Sequence, residues 1–432
     1  MDGVFNVQVI LILLVFALFI GLMMAKKIPT LLALPLLGVI IAVIAGVPFK
    51  TPLEEGGQTI MGYVIGAGSA RLASTMIAAI FGAMFAKVIQ KQGISDSIIR
   101  KAAELAGDKP FAIAVVLTLA TAIIFSAIGG AGPVIMVSTI VIPLMLSAGI
   151  SAKVAAGLVL MGISLGGLFN VSNYQFYVDT IGMSMDVVKS SSLILGIISL
   201  VVTVLYIIIN VNKKSVRSSW AMPSEETSTK KNNVNILALL SPLVPILLVY
   251  LFKLSAEVAL LTATIFAIVV TKPKQIIQIT TSSLVEGIQD VAGVIGLMMG
   301  IGILLNGVSS QAAVALMQPL ISAVLPTSPI PYIIIFTIGA PLALYRGPLN
   351  MYGLGSGIAN VMLAAGTLSP AAIGMALRST GVVQGVSDPT NTQNVIVADF
   401  AKVDVNSVLK STLPYTVLIT FVSLIYTAFV LF

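Results

Sequence analysis

The chain has 432 residues, 58% hydrophobic and only 9% charged, with a formal net charge of +7 and neither cysteine nor histidine. Soluble domains carry roughly 25% charged residues, so this chain cannot cover a water-soluble globule and its solvent must be lipid. The absent residues exclude disulfide, thiolate and His-relay chemistry and the commonest metal ligand. The positive charge sits mostly in short loops, where membrane topology calls for it, so nucleic acid is not an expected partner.

A helix needs about 20 apolar residues to cross the hydrocarbon core. Ten runs qualify, near 7–25, 30–47, 71–90, 154–177, 191–211, 234–251, 255–271, 282–306, 371–394 and 411–431. The first is read as a transmembrane helix rather than a signal peptide, because Lys26 and Lys27 follow it and no positive charge precedes it. Between crossings three and four, Ile94, Ile98, Ala102 and Leu105 line one face of an amphipathic helix expected on the membrane surface. Residues 309–325 hold the matching place later in the chain. Two apolar stretches, 110–148 and 330–365, are too long for one crossing. Each is interrupted midway, by Gly129-Gly130-Ala131-Gly132-Pro133 and by Tyr345-Arg346-Gly347-Pro348, which predicts two re-entrant hairpins.

Most basic residues fall on one side of this arrangement, among them Lys26, Lys27, Lys91, Arg100, Lys101, Lys109, Lys153, Lys213 and Lys214. The other side keeps Lys50, Arg71, Lys189 and Lys253. The basic side is therefore expected in the cytoplasm of a cell or inner membrane, with both termini outside and a cytoplasmic linker at 213–233.

That linker separates two halves, 1–212 and 234–432, which align with each other. Ser151 falls on Ser369, and at the same offset Asn170-Val171-Ser172-Asn173-Tyr174-Gln175 falls on Asp388-Pro389-Thr390-Asn391-Thr392-Gln393. With small shifts Gly132-Pro133 falls on Gly347-Pro348, and Lys189-Ser190 on Lys410-Ser411. Five crossings and a hairpin per half would invert the second copy. Inverted repeats with broken helices place substrate and ion sites near the bilayer midplane. The expected fold is thus an all-α membrane protein of about ten crossings and two hairpins in two inverted repeats.

The polar clusters at 169–175 and 384–394 interrupt apolar helices, where polar groups are costly. Pro389 lacks an N–H and breaks its helix. Freed carbonyls with Ser, Thr and Asn oxygens suit Na⁺, and the N–H groups of the next half-helix suit an anion. Helix-to-helix hydrogen bonding is the structural alternative. Arg346 carries a permanent charge into an apolar segment and needs an anion, either a carboxylate substrate or Asp388. Asp388 itself is open to three roles: cation ligand, proton carrier or partner of Arg346. Glu286 and Asp290 read as interfacial, and Arg378 as an anion or acid partner within its crossing.

These hairpins and breaks resemble the ion transporter superfamily over nearly the whole chain, near its gluconate and citrate permeases and more distantly its dicarboxylate/sodium symporters. The resemblance implies a homodimeric elevator transporter of a small carboxylate, coupled to Na⁺ or H⁺, with no cofactor beyond possible Na⁺. It implies substrate contacts at Gly130, Gly132, Asn170, Ser172, Asn173, Arg346, Asn350, Thr390, Asn391 and Thr392, and ion coupling at Asn170, Ser387, Asp388 and Thr390. The sodium-coupled dicarboxylate transporters carry Ser-Asn-Thr at both tips; here the tips read Gly-Ala-Gly-Pro and Arg-Gly-Pro-Leu-Asn. The rival functions are a cation/proton antiporter, with Asp388 titrating, a Na⁺-pumping membrane decarboxylase subunit, and a channel. No phosphate-binding Gly-x-x-x-x-Gly-Lys-Ser/Thr motif is present, which disfavours an ATP-driven pump.

Overall fold

The computed structural model describes residues 6–52, 57–211, 234–271 and 273–432. The expected linker at 213–233 lies outside them. Among the described residues the regular structure is entirely helical. The first half runs α1 (Val7–Met24), α2 (Thr30–Ile44), a helical lead-in (Ile60–Ala70) into α3 (Ala73–Lys91), α4 (Ile94–Ala106), α5 (Pro110–Phe125), α6 (Ala131–Ser147), α7 (Ala152–Gly167), α8 (Val171–Ile181) and α9 (Met185–Asn210). The second half follows the same order. A tight helical turn (Ile236–Leu243) leads into α10 (Val244–Leu251), then come α11 (Ala256–Thr271), α12 (Ile276–Val308), α13 (Gln311–Val324) and α14 (Pro329–Gly339). A second tight turn (Ala340–Arg346) precedes α15 (Gly355–Ala365), α16 (Pro370–Ser387), α17 (Thr392–Phe400) and α18 (Val405–Val430).

Local chemistry repeats with this order. Each hairpin ends on a left-handed glycine, Gly149 (φ 84°) and Gly366 (φ 69°). Each next helix then starts from a serine N-cap, Ser151 before α7 and Ser369 before α16. The breaks also coincide: α7 and α8 meet at a 63° bend, and α16 stops at Ser387, just short of Pro389.

The crossing count differs from the sequence reading. Six described helices are long and apolar enough to cross a bilayer, or seven if the bent α7–α8 pair is one span. The runs expected at 30–47 and 255–271 form helices of only 15 and 16 residues. At 1.5 Å per residue they reach about 24 Å, short of a roughly 30 Å core. The run at 234–251 is divided between a tight turn and α10, and 371–394 is cut by its break. On α4 the buried residues are Ile94, Ser95, Ile99, Ala102 and Ala106, while Leu105 is 84% exposed, so the apolar face lies rotated from the one expected.

Helices α3 and α12 cross in close contact, and each also packs against the second helix of the other half: α2 on α12, α11 on α3. Glycine makes these approaches possible. A Cβ on Gly287 would sit 2.8 Å from the Met84 backbone nitrogen, and one on Gly38 would sit 2.6 Å from the Leu304 Cα. Around this crossing the hairpins and broken helices gather, each hairpin's second arm touching the other half's break: α6 on α17, α15 on α8.

Candidate functional site

The first break is held open by its own side chains. Asn170 caps α8: its Oδ1 accepts from the Ser172 N–H at 3.0 Å. Its Nδ2 reaches back to the first hairpin, donating to the carbonyls of Phe125 (3.3 Å) and Ile128 (3.4 Å). Asn173 Nδ2 donates to the Gly167 carbonyl at 2.9 Å, and the Ser172 hydroxyl donates to the Ala78 carbonyl on α3 at 3.2 Å. At the hairpin tip Gly130 takes φ 99°, a conformation that favours glycine, and starts α6.

The second break repeats the local pattern with a charge. Asp388 Oδ1 accepts from the Thr390 N–H (2.9 Å) and hydroxyl (2.7 Å). Asn391 Nδ2 donates to the Gln384 carbonyl at 3.4 Å, and Gln393 Nε2 to the Gly385 carbonyl at 2.7 Å. Asn394 Nδ2 donates to the Asp388 carbonyl at 2.9 Å. Asp388 is fully buried, yet its Oδ2 accepts no hydrogen bond among the described residues, and neither does Asn394 Oδ1. The ion pair between Asp388 and Arg346 that the sequence allowed is not formed.

The second tip folds on Asn350, whose Oδ1 accepts from the Tyr352 N–H at 3.0 Å. Tyr345 (φ 55°) and Arg346 (φ 58°) are consecutive left-handed residues with full side chains. Such strain persists where surrounding contacts over-determine it, commonly at functional sites. Tyr352 joins this tip to the first break: its hydroxyl donates to Asn173 Oδ1 at 3.0 Å, and its ring stacks on Phe176 with centroids 4.6 Å apart. Arg346 makes no hydrogen bond or ion pair with its side chain among the described residues.

One cavity of about 440 Å³ collects these pieces. Tip one supplies Gly130 and break one Asn170, Ser172 and Asn173; tip two supplies Arg346 and Asn350, and break two Asp388 and Asn391. A second cavity, about 780 Å³, lies between the second break, α12 and the turn joining α1 to α2. Thr390 and Thr392 face this one, and Arg346 and Asp290 line both. Two expected residues lie off both walls. Gly132 sits within α6, and the Ser387 hydroxyl is engaged with Thr412 (2.8 Å) and Thr416 (3.2 Å) of α18.

Arg378 completes the first cavity's wall. It is 2% exposed and has no acidic partner among the described residues. Its guanidinium donates to the Val188 carbonyl (2.9 Å), the Ser192 hydroxyl (2.7 Å), the Leu168 carbonyl (3.4 Å) and, closely, the Ser191 hydroxyl. It lies over the Tyr177 ring, 4.9 Å from the centroid. Neutral acceptors and an aromatic face hold the cation in place without cancelling its charge, so the wall is electropositive here.

Other charges are structural. Lys87 pairs with Asp290 at 2.8 Å and Lys91 with Glu286 at 2.7 Å, joining α3 to α12. This places Asp290 on the cavity walls, not only at an interface. Asp179, which the sequence reading passed over, accepts from the Thr75 N–H (3.1 Å) and hydroxyl (2.7 Å) and from Gln175 (2.8 Å). Its signal was an acid one turn beyond a polar cluster. Arg71 bridges Asn306 (2.8 Å) and Asn360 (3.1 Å), tying the first half's long helix to α12 and α15.

The sequence matches no protein-family model and no curated protein. Solved structures do share its architecture, and they are membrane transporters. The YdaH transporter of Alcanivorax borkumensis, described as having an unusual topology, is similar with a TM-score of 0.65 at 14% identity, over 92% of this chain and 96% of that one. MtrF of Neisseria gonorrhoeae, from a class of antimetabolite efflux pumps, is similar with a TM-score of 0.60 at 12% identity, over 93% and 95%. At such identities the likeness establishes the fold: a multi-pass, all-helical membrane protein built like known transporters.

Proposed function

We propose that the chain is a secondary transporter of a small organic carboxylate, driven by a Na⁺ or H⁺ gradient. One observation carries the reading: two arginines, Arg346 and Arg378, line a single cavity, and neither has an acidic partner among the described residues. A cation kept from water without a counter-charge favours an anion beside it. Arg346, with its donors free, is the group that contacts the carboxylate; Arg378, held by α9, sets the local potential. Guanidinium donors match a carboxylate in a bidentate geometry. Asn173, Asn350 and Asn391 add polar contacts from three of the four converging elements. Ion coupling belongs at the second break, around Asp388.

The mobile part comprises the two hairpins and two broken helices. Helices α1–α3 and α10–α12 form the scaffold of a homodimer, past which the mobile part moves as an elevator, with the basic linker in the cytoplasm. The shared fold with MtrF adds export of an anionic metabolite as a second direction for the same site. The test is a thermal-shift screen of the purified protein with gluconate, citrate, lactate and succinate, each with and without Na⁺. A ligand that binds only the folded state raises its apparent stability. Stabilisation by at least one acid, lost in Arg346→Ala, is expected. A response to Na⁺ or pH alone, with none to any acid, would favour the cation antiporter instead.

A further inference from the structure

The two breaks differ at one pair of equivalent positions, Asn170 and Asp388, and the difference reaches beyond charge. In the first half the Asn170 amide nitrogen donates to two hairpin carbonyls, Phe125 O at 3.3 Å and Ile128 O at 3.4 Å. A nitrogen bearing two donors thus stands where oxygens converge, the position a small cation takes in an oxygen cage. In the second half the equivalent atom is the carboxylate oxygen Asp388 Oδ2. It can only accept, it is fully buried, and it has no donor among the described residues. Asn394, whose Nδ2 rests on the Asp388 carbonyl at 2.9 Å, leaves a second buried acceptor, its Oδ1, also without a donor. The first half has no counterpart of that acceptor: the residue at the equivalent position is Phe176.

Two orphan acceptors, one of them ionisable, in one helix break call for a positive ligand. A proton on Asp388 would answer the carboxylate. A hard metal cation answers both the carboxylate and the amide oxygen, and oxygen ligands suit Na⁺ rather than a softer ion.

We infer that the transporter binds a single Na⁺, at Asp388 and Asn394 of the second break, and that the first break's equivalent site is permanently filled by the Asn170 amide. Inverted symmetry alone would give two equivalent ion sites; these side chains reduce them to one. The inference rests on the transport reading for its purpose but not for its test, which measures Na⁺ binding without any carboxylate.

The experiment is the thermal midpoint of the purified full-length protein titrated with NaCl, choline chloride holding ionic strength constant. Wild type is expected to show saturable stabilisation with a Hill coefficient of about 1. Asp388→Asn should abolish the Na⁺ response, its amide providing internally what Asn170 provides in the first half. Asn394→Ala should weaken Na⁺ by roughly tenfold, because one ligand oxygen is lost. Asn170→Asp should add a second site and raise the Hill coefficient towards about 2. An undiminished Na⁺ response in both Asp388→Asn and Asn394→Ala would overturn the assignment. So would a wild-type Hill coefficient near 2, or stabilisation that follows pH and ignores Na⁺. Carboxylate binding, titrated separately, can fail without touching these results, so the two readings fall independently.

Discussion

The two helix breaks are built alike and sit in different surroundings. The first is fastened to the crossing helices. Ser172 donates to α3, Asp179 caps the start of α3 through Thr75, and α8 also packs on α11. The second has no equivalent fastening: α17 packs on α6, α7 and α18 rather than on α12 and α2. The space that such packing would fill is the second cavity, where Thr390, Thr392 and Val395 face Gly293, Val294 and Leu297 of α12 across open room. One sequence-related unit is thus shown both docked and undocked in the same molecule. Exchanging the two arrangements would close the second cavity and open its counterpart at the first break, which is what alternating access about a fixed site requires.

The largest expected effect on this comparison comes from the residue that touches both cavities. Arg346→Ala should lower carboxylate affinity by roughly 30- to 1,000-fold, about 2–4 kcal/mol, with folding retained. Titration by thermal shift or calorimetry measures it, and a loss under about threefold would remove Arg346 from the site. Next is the fastening itself. Asp179→Ala leaves the buried Thr75 and Gln175 donors without their acceptor and should cost about 1–3 kcal/mol of stability. It should also loosen the docked break. The chain has no cysteine, so single-cysteine variants report access directly. A cysteine at Ser172 should react on the order of tenfold slower than one at Thr392, and Asp179→Ala should narrow that gap. Equal rates in the unmodified background would deny the docked–undocked difference.

Gly130→Ala forces a Cβ into φ 99° at the first tip and should cost about 1–2 kcal/mol, read in the thermal midpoint. The smallest effect belongs to Lys87→Met. Its partner Asp290 is 42% exposed, so the lost ion pair should change stability by no more than about 1 kcal/mol.

Much of this arrangement can be read from the chain. Polar residues in apolar helices locate both breaks, because lipid penalises them unless they serve a purpose. The Gly-Pro interruptions locate both tips, and the serine caps and left-handed glycines mark where the repeat restarts. Other features depend on contacts far apart in sequence. Nothing near Arg378 announces that Ser191 and Ser192 on α9 would satisfy its donors, leaving a buried cation with no acid. Lys87 reads as a stray charge in a crossing until α12 supplies Asp290. The crossings were overcounted because hydropathy is a property of composition, whereas span depends on how long the helix persists. The 15-residue α2 is apolar throughout yet short. Leu105 was misassigned because α4 is rotated so that Ile99 and Ala106 meet the core.

The most direct test of the account is counterflow in proteoliposomes. Vesicles loaded with the acid that stabilises the protein are diluted into a trace of the same acid, radiolabelled, with Na⁺ present. Label should accumulate transiently in wild-type vesicles and not in those carrying Arg346→Ala. Absence of accumulation for every acid tried, in vesicles where the same protein exchanges Na⁺ for H⁺, would contradict carboxylate transport and make the arginine-lined cavity part of an ion exchanger.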